Sequence, residues 1–387
     1  MHHPGSRSVR RAASLAAIVL LFAGLFAQTL SSTPASGFAV RKAAPVRDAD
    51  PAPLYDERYA SGAATPSVHA ATALPVPGGL RAFWYGGTRE GAGDVAIYSA
   101  RYDAASSRWG AESAVVTRAS TQAGVGRYIR KLGNPVAARD ARGRLWLYYV
   151  SVSLGGWSTS SLNAVMSADE GATWSVPRRL VTSPFLNIST LVKGHAYLYE
   201  DGSLGLPAYH ELFGKFGELL RLDAEGGVIG KTRLSRGSTG IQPAVVVRSA
   251  REAIAFMRYT GEGPGSVLAV RTRDGGRSWS EPERLPLPNP NAAVDAAALP
   301  GGELLLVFNN RPQDRNNLSL AVSSDGGASW RVVHAFEDHP PGGESVEFSY
   351  PWLAQDSESP QLHLFYTWRR SHIKHVRFDE GWLKQRR

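Results

Sequence analysis

The sequence of 387 residues contains no cysteine, which excludes disulfides, thiolate metal ligands and thiol nucleophiles. Histidine is sparse as well, with 10 residues, and neither an HExxH pattern nor a paired carboxylate spacing is present. The sequence therefore predicts no metal site and no cofactor. A chain without cysteine suits an exported protein, because no wrong disulfide can form outside the cytoplasm.

Long amphipathic helical patterns are also missing. In their place, short β-branched or aromatic runs recur between Gly, Asp and Asn residues; examples are RLWLYYVSV, EAIAFMRY, GELLLVFNN and QLHLFYTWR. The 40 glycines and 24 prolines follow no low-complexity period and are typical of many turns. With 43% hydrophobic residues, the sequence predicts an all-β chain with a large core.

Basic residues are in modest excess, 43 Lys and Arg against 34 Asp and Glu. Six of the basic residues precede Pro51, so the rest of the chain is only mildly basic. A nucleic-acid-binding surface would need clustered basic residues interleaved with aromatic ones. No such cluster is present, and nucleic acid is not expected as a partner.

One long apolar run lies near the N-terminus. Arg7, Arg10 and Arg11 precede the uncharged residues 12–30, and small residues follow. This order is typical of a secretory signal peptide, or of a signal anchor when it is not cleaved. Residues 1–37 are therefore predicted to direct export to the periplasm or the cell exterior. Cleavage is favoured because small residues follow and no second apolar span exists.

Residues 38–55, rich in proline and alanine, are predicted to be a linker. Residues 56–387 are then predicted to form the folded domain, and we expect a monomer. Membrane contact would occur only through an uncleaved N-terminal segment.

A short pattern recurs in the domain: Ser or Thr, any residue, Asp, any residue, Gly, two residues, Trp. Its clear copies are SADEGATWS, TRDGGRSWS and SSDGGASWR, around Asp169, Asp274 and Asp325. The first interval is about twice the second, and a weaker copy, RLDAEGGVIG, lies in its middle; another weak copy, SARYDAASSRWG, lies upstream of the first clear one. A period of roughly 50 residues with several short strands is typical of propellers, and the domain has room for six blades.

The pattern has a local physical explanation. An aspartate at the start of a turn accepts hydrogen bonds from the following amides, glycine supplies the positive φ, and tryptophan anchors the hairpin. A calcium loop would need more oxygen ligands than these stretches contain. Asp169 is therefore predicted to be structural and not catalytic.

Repeats of this form resemble the Asp-boxes of the sialidase (neuraminidase) superfamily, and the similarity spans residues 67–378. The resemblance implies a six-bladed β-propeller and an exo-glycosidase that releases a terminal acidic sugar with retention. Such enzymes use a tyrosine nucleophile, an aspartate acid/base, a glutamate that activates the tyrosine, and three arginines that bind the substrate carboxylate. A neutral phenol suits this reaction because that carboxylate would repel an anionic nucleophile.

The resemblance assigns the nucleophile to Tyr350 in VEFSYPWLAQ, with Glu347 three residues before it. Arg258 in AIAFMRYTGEG and Arg315 in NNRPQDRNNLSLAVSSDGG take the places of two arginines that bind the carboxylate. Arg311, in the same loop as Arg315, is the alternative expected on the surface.

The first blade departs from the family pattern. His69 in PSVHAATALPVPGG stands where the first arginine is expected, and it could bind a carboxylate, act as a base or be structural. Asp94 in the glycine-rich loop GGTREGAGDVAIYSAR corresponds to the acid/base, with Arg89 as the flanking arginine. Gln242 in STGIQPAVVV takes the place of the activating glutamate, and an amide cannot accept a proton from Tyr350.

Another base is then required to activate Tyr350, and the sequence does not distinguish among Glu347, Glu211 and His210.

Two basic clusters could line a cleft for an anionic substrate or lie on a solvated face; they are Arg127, Arg130, Lys131 and Asn134 in RYIRKLGNP, and Lys193 and His195 in LVKGHAY.

Two other functions remain open. A polysaccharide lyase acting on uronates could use His69, His210 and Tyr350 to abstract a proton beside a carboxylate held by arginine. A non-catalytic propeller could bind an acidic glycan without cleaving it. In each case the expected partner is an acidic glycan.

Overall fold

The computed structural model describes residues 5–31, 36–40, 52–62, 64–183, 187–237, 239–340, 346–355 and 361–386. The domain is built of β-strands, as predicted. The helices are α1 (Gly5–Ser31), α2 (Arg118–Val125) and α3 (Glu380–Lys384), with a 3-10 turn at Trp157–Thr159.

Within the described ranges the strands form five sheets. The first sheet contains β2 (Ser67–Val76), β3 (Gly79–Gly87), β4 (Ala96–Asp103), β5 (Arg108–Trp109) and β6 (Ser113–Val116). The second contains β7 (Lys131–Arg139), β8 (Leu145–Val152), β9 (Ser161–Ser167) and β10 (Arg178–Arg179). The fourth contains β20 (Asp295–Ala298), β21 (Leu304–Phe308), β22 (Asn317–Ser323) and β23 (Arg331–Asp338).

The third sheet has nine strands. They are β11 (Leu191–Val192), β12 (Tyr197–Leu198), β13 (Leu204–His210), β14 (Phe216–Leu222), β15 (Val228–Arg233), β16 (Gly240–Val247), β17 (Ala253–Tyr259), β18 (Ser266–Thr272) and β19 (Glu283–Pro288). Its two halves, β11–β15 and β16–β19, meet at a single parallel pair, Phe216 with Gly240. Each half is otherwise antiparallel, like the other sheets.

The fifth sheet joins the two ends of the domain. It contains β24 (Phe348–Gln355), β25 (Gln361–Trp368) and β26 (His372–Asp379), and β1 (Tyr55–Tyr59) pairs with β26 at its outer edge. The pairing is antiparallel and runs from Tyr55 opposite Phe378 to Tyr59 opposite Lys374.

The Asp-box turns follow the third strands β9, β18 and β22. In the turn after β22, the carboxylate of Asp325 accepts hydrogen bonds from Ser329 N (2.9 Å) and Ser329 Oγ (2.6 Å). Asp169 makes the equivalent bonds with Thr173, whose side chain is the main cause that lowers the pKa of Asp169 to about 2. These contacts agree with a structural role for the aspartates.

The two faces of the domain follow from strand direction. We number strands by their order along the chain within each sheet, and within each half of the third sheet; β11 and β12 count together as one first strand, and β24 is the first strand of the fifth sheet. Because neighbouring strands are antiparallel, first strands begin on one face of the domain and third strands end on the other. We call the face with the Asp-box turns the Asp-box face and the opposite one the site face. The turns between second and third strands, such as β3–β4, β8–β9 and β25–β26, lie on the site face.

The N-terminal segments are partly described. Residues 8–25 of α1 form an apolar stretch of 18 residues with mean hydropathy 1.6, and none of that stretch is buried. It has the character of a signal peptide or a membrane anchor. Within the segment predicted as a linker, Phe38 is fully buried against the domain and residue 55 begins β1, whereas residues 41–51 lie outside the described ranges.

Candidate functional site

Irregular backbone at the start of the first strand of four sheets, next to the site face, orients the side chains of the candidate site. Pairing shifts after His69 in β2, Gly133 in β7, Ile241 in β16 and Ser349 in β24. The residues that follow have positive φ angles; they are Ala70 (53°), Asn134 (40°), Gln242 (56°) and Tyr350 (53°). Such angles are unfavourable for residues with a Cβ, so the fold holds these positions against local strain.

Tyr350 lies at one end of a hydrogen-bonded chain. Its hydroxyl accepts a hydrogen bond from Gln242 Nε2 (3.2 Å), which also lies 3.2 Å from the hydroxyl of Tyr209. Asn134 Nδ2 donates to the Tyr209 hydroxyl at 2.9 Å. Gln242 Oε1 accepts from Arg258 Nη1 (3.2 Å), which fixes the orientation of the amide. The amide therefore donates to the oxygen of Tyr350 but cannot take its proton.

Asn291 connects the two predicted arginines. Its Oδ1 accepts from Arg258 Nε (2.6 Å), and its carbonyl oxygen accepts from Arg315 Nη2 (2.5 Å). Arg315 is also paired with Glu347 at 3.0 Å. Among the described residues no carboxylate lies within 4.0 Å of the Arg258 guanidinium, so its charge is not neutralised by a close partner.

Arg370 is a member of this cluster that the sequence reasoning missed. It lies in the β25–β26 turn with φ 56°, and its guanidinium contacts Glu347 (2.6 Å) and Glu90 (2.7 Å). Its carbonyl oxygen accepts from Val68 N (2.9 Å), which places the turn beside His69. The sequence signal is the pair of arginines in TWRRSHIKH, a pattern that describes a solvated turn equally well.

Glu347 bridges two arginines and also accepts from Ser349 Oγ (2.6 Å). Burial opposes its ionisation, but electrostatic interactions with His69 and Arg370 and the hydrogen bonds from Ser349 and Arg370 lower its pKa to about 2. Glu347 is therefore ionised and paired at neutral pH, which makes it a weak base. No hydrogen bond joins it to the Tyr350 hydroxyl in the described part of the chain.

His69 packs edge-on against the ring of Tyr350, with centroids 4.5 Å apart, and against Tyr85 at 5.5 Å. It is 2% exposed, and burial, with a smaller contribution from Arg370, lowers its pKa to about 4. The ring is therefore uncharged at neutral pH and cannot bind a carboxylate as a cation. Its Nδ1 has no hydrogen-bond partner among the described residues.

Three predicted residues lie outside the cluster. Asp94 is exposed, and hydrogen bonds from the side chain and backbone of Thr88 lower its pKa. Arg89 is exposed in the same loop, from which Glu90 reaches Arg370 instead. Arg130 is exposed and donates to the carbonyl of Gly155 at 3.4 Å.

The alternative bases occupy the β13–β14 turn. His210 stacks on Phe216 at 5.0 Å and accepts from Phe213 N (3.0 Å), and burial lowers its pKa. Glu211 is half-buried, and burial raises its pKa against the opposing charge of Arg258. Glu211 is thus a carboxyl group whose surroundings disfavour ionisation relative to an exposed glutamate.

The cluster of Lys193 and His195 is structural. Lys193 Nζ donates to the carbonyls of Val294 and Pro351 at 2.9 Å each, and His195 Nε2 lies 2.8 Å from Asp295 Oδ2. Lys193 is buried and does not line an open cleft; through Pro351 it holds the peptide that follows Tyr350. In the other predicted cluster, Lys131 Nζ lies over the ring of Trp157 (3.9 Å) and Arg127 is exposed.

Comparisons with known proteins agree with this architecture. Residues 78–364 match a family model described as BNR repeat-like domain, while no curated protein gives a significant match. A Hadza microbial sialidase has TM-score 0.68 at 17% identity, covering 84% of this chain and 68% of that one. The intramolecular trans-sialidase from Ruminococcus gnavus has TM-score 0.64 at 16% identity, and the match covers 84% of this chain and 97% of that one. A protein of unknown function from Dyadobacter fermentans has TM-score 0.66 at 13% identity, covering 85% and 99%.

At identities this low, the similarity to these structures supports the fold and nothing more specific. Together with the all-β sheet arrangement, the likeness supports a β-propeller of the kind found in sialidases.

Proposed function

The chain belongs to the BNR repeat-like domain family, and on that premise we propose that it is an exo-glycosidase that removes a terminal acidic sugar from a glycan. The observation that carries the proposal is the position of Tyr350 and Arg258 at opposite ends of one buried amide, Gln242. The Tyr350 hydroxyl and the unneutralised Arg258 guanidinium are thereby each held 3.2 Å from an atom of the same amide, on the site face. This is the arrangement that attack beside a carboxylate requires.

The propeller in this proposal has six blades. Its first strands are β2, β7, β11 with β12, β16, β20 and β24, and the third sheet divides at its single parallel pair. Besides the four shifted positions, Gly194 (φ 104°) lies between β11 and β12, and Asn291 (φ 55°) precedes β20. At least one positive-φ residue therefore lies in each first strand or near its start. A crystal structure with any other number of radial sheets would overturn this count.

Arg258 is assigned to the substrate carboxylate, with Arg315 beside it. Both guanidiniums contact Asn291, so they converge on one point, and only Arg315 is already paired with an acid. Charge-assisted hydrogen bonds to a carboxylate are about twice as strong as neutral ones, and a planar guanidinium can make two of them. The uncompensated charge of Arg258 thus favours an anionic substrate over a neutral one.

Tyr350 is assigned as the nucleophile, and the reaction retains configuration through a covalent adduct. Gln242 stabilises negative charge on the Tyr350 oxygen by donating a hydrogen bond to it. His69 is the base assigned to the phenol proton, because its uncharged ring packs against that of Tyr350 with centroids 4.5 Å apart; no hydrogen bond joins the two groups in the described residues, so the transfer requires His69 to move toward the Tyr350 hydroxyl. The attraction between imidazolium and phenolate offsets part of the cost of charging a buried ring.

Glu211 is assigned as the proton donor to the leaving group, in place of Asp94. Burial raises the pKa of Glu211, whereas hydrogen bonds from Thr88 lower the pKa of Asp94, so of the two carboxyl groups Glu211 keeps its proton to the higher pH. Glu211→Gln is expected to slow the hydrolysis of glycosides with poor leaving groups about 100-fold or more. Hydrolysis of aryl glycosides with good leaving groups should be slowed far less, because they need little help from a proton donor. The measurement is kcat/KM across a leaving-group series.

Asp94→Asn is the matched control, since it also replaces one carboxylate by an amide. If Asp94→Asn gives the leaving-group dependence and Glu211→Gln does not, the donor is Asp94.

The proposed function is tested by incubating the wild-type protein with sialosides and other acidic glycosides. Release of the free acidic sugar is expected, and NMR during the reaction should show the same anomeric configuration in product and substrate. An inverted product would exclude the covalent adduct. Ligand held without turnover over long incubation would instead identify a binding protein.

A uronate lyase is the second candidate, and one observation favours it. An uncharged histidine, His69, contacts the ring of Tyr350, while the Tyr350 hydroxyl bonds to an amide and to no carboxylate in the described residues. A neutral imidazole and a phenol can together abstract a proton beside an arginine-bound carboxylate. Acidic polysaccharides added to the same assay separate the two reactions, because only lysis gives an unsaturated, ultraviolet-absorbing product.

A further inference from the structure

A short segment after α1 is fixed to the domain. Residues 36–40, which we call the Phe38 clasp, contain one fully buried aromatic side chain. Phe38 stacks on Tyr199 with ring centroids 5.4 Å apart and meets Tyr197 edge-on at 5.3 Å. Its amide donates to the carbonyl of Ala250 (2.8 Å), and the amide of Ala39 donates to that of Leu198 (2.9 Å). Ring burial and backbone bonds thus hold the segment in one place.

The Phe38 clasp lies on the Asp-box face. Tyr199 belongs to the turn before the second strand β13, and Ala250 belongs to the turn between β16 and β17, both opposite the site face. The Asp-box turn after β18 covers the ring, since a Cβ on Gly276 would lie 3.0 Å from Phe38 Cζ. The clasp is therefore on the other side of the domain from Tyr350.

The helix before the clasp has the dimensions of a membrane span. α1 is 27 residues long, and its apolar window has no burial in the domain. At 1.5 Å per residue it is about 40 Å long, more than the roughly 30 Å of a hydrocarbon core. Its uncharged stretch also exceeds the 7–15 residues usual for the apolar region of a signal peptide. Arg10 and Arg11 at its start favour a cytoplasmic N-terminus and an exported domain.

The connection between helix and clasp is short. Five peptide units separate Ser31, the last residue of α1, from Ser36, the first of the clasp. Even fully extended, that length of chain reaches no more than about 18 Å. The Asp-box face therefore cannot lie far from the end of the helix.

We infer that α1 is an uncleaved membrane anchor and that the Phe38 clasp turns the Asp-box face toward a phospholipid bilayer. The site face, with Tyr350 and Arg258, then opens away from that bilayer. The site acts on glycans that approach from the aqueous side, and headgroups of the same membrane do not reach it. This inference does not depend on which reaction the site performs.

The absence of cysteine permits a direct measurement on the full chain. Arg273→Cys places one thiol on the Asp-box face, and Leu154→Cys places one on the site face, at a side chain 76% exposed. Each variant is labelled with a donor dye and reconstituted into phosphatidylcholine–phosphatidylglycerol vesicles that carry acceptor-labelled headgroups. Strands of seven or eight residues separate the faces by about 25 Å. Energy transfer at least about twofold higher from position 273 than from position 154 is expected.

Equal transfer, or higher transfer from position 154, would overturn the orientation. A membrane fraction whose mass lacks α1 would overturn the anchor. Phe38→Ala in the Arg273→Cys chain is expected to reduce transfer to the level of position 154, because the clasp is released. Phe213→Ala, which removes an aromatic ring 74% exposed on the site face, is the matched control and should leave transfer unchanged.

Discussion

Tyr350→Phe is expected to reduce kcat on acidic glycosides by at least about a thousandfold, because the attacking oxygen is removed. Stability should change little, since the lost hydroxyl has one described hydrogen bond, from Gln242, and that amide nitrogen still lies beside the hydroxyl of Tyr209. The backbone strain at position 350 is the same for both residues. Steady-state kinetics on a substrate cleaved by the wild-type protein, with thermal unfolding of both proteins, provides the measurement.

Tyr148→Phe is the matched control for this substitution. Tyr148 is buried in β8 between the sheets, away from Tyr350, and its replacement should leave kcat unchanged. Turnover by Tyr350→Phe at the wild-type rate would show that the phenol takes no part in the reaction. Equal losses in both variants would trace the effect to packing.

Arg258→Met is expected to lower kcat/KM by about 30-fold to about 4,000-fold for a glycoside that carries a carboxylate. This range corresponds to the 2–5 kcal/mol lost when one partner of a desolvated, hydrogen-bonded charge pair is truncated. For the amide or ester of the same sugar, the loss should be smaller than about tenfold, because no charge pair is broken. The comparison of the two substrates isolates recognition of the carboxylate.

Arg311→Met controls for the removal of an arginine near the site. Arg311 lies in the same loop as Arg315, but its guanidinium donates to Asp338 (2.6 Å) and to the carbonyl of His339 (3.1 Å). Its replacement should leave kcat/KM unchanged for both substrates. If Arg258→Met slows the charged and the neutral substrate equally, Arg258 supports the structure of the site and does not bind the carboxylate.

The sequence predicted the all-β class because its signals are local. Alternating strands, turn residues and the Asp-box spacing each lie within a few tens of residues. The pairing of β1 with β26 was not predicted, since YDERY follows a segment rich in proline and alanine and its partner lies more than 300 residues away. No local pattern encodes such a contact.

Site residues that lie in strands were predicted from the sequence better than site residues that lie in turns and loops. Tyr350, Gln242 and Arg258 stand at fixed places in strands, and the structure brings them together. Asn291 and Arg370 lie in turns outside the strands, and their contacts depend on which segments of other sheets lie beside those turns, which sequence patterns do not specify.

The loop that contains Asp94 was also only partly predictable from the sequence. Asp94 and Glu90 lie in one loop, and only Glu90 reaches the cluster. Motif alignment fixes the position of a loop along the chain, but it does not fix which of its side chains points inward.

The position of β1 in the fifth sheet also bears on the order of folding. The chain is synthesised from its N-terminus, so Tyr55–Tyr59 is made long before His372–Asp379. Until then the strand YDERY has no partner, and the outer edge of the last sheet cannot form. While the strand is unpaired, the charged residues Asp56, Glu57 and Arg58 discourage its pairing with other chains. Completion of the fifth sheet is therefore a late step of folding, which waits for the final hairpin.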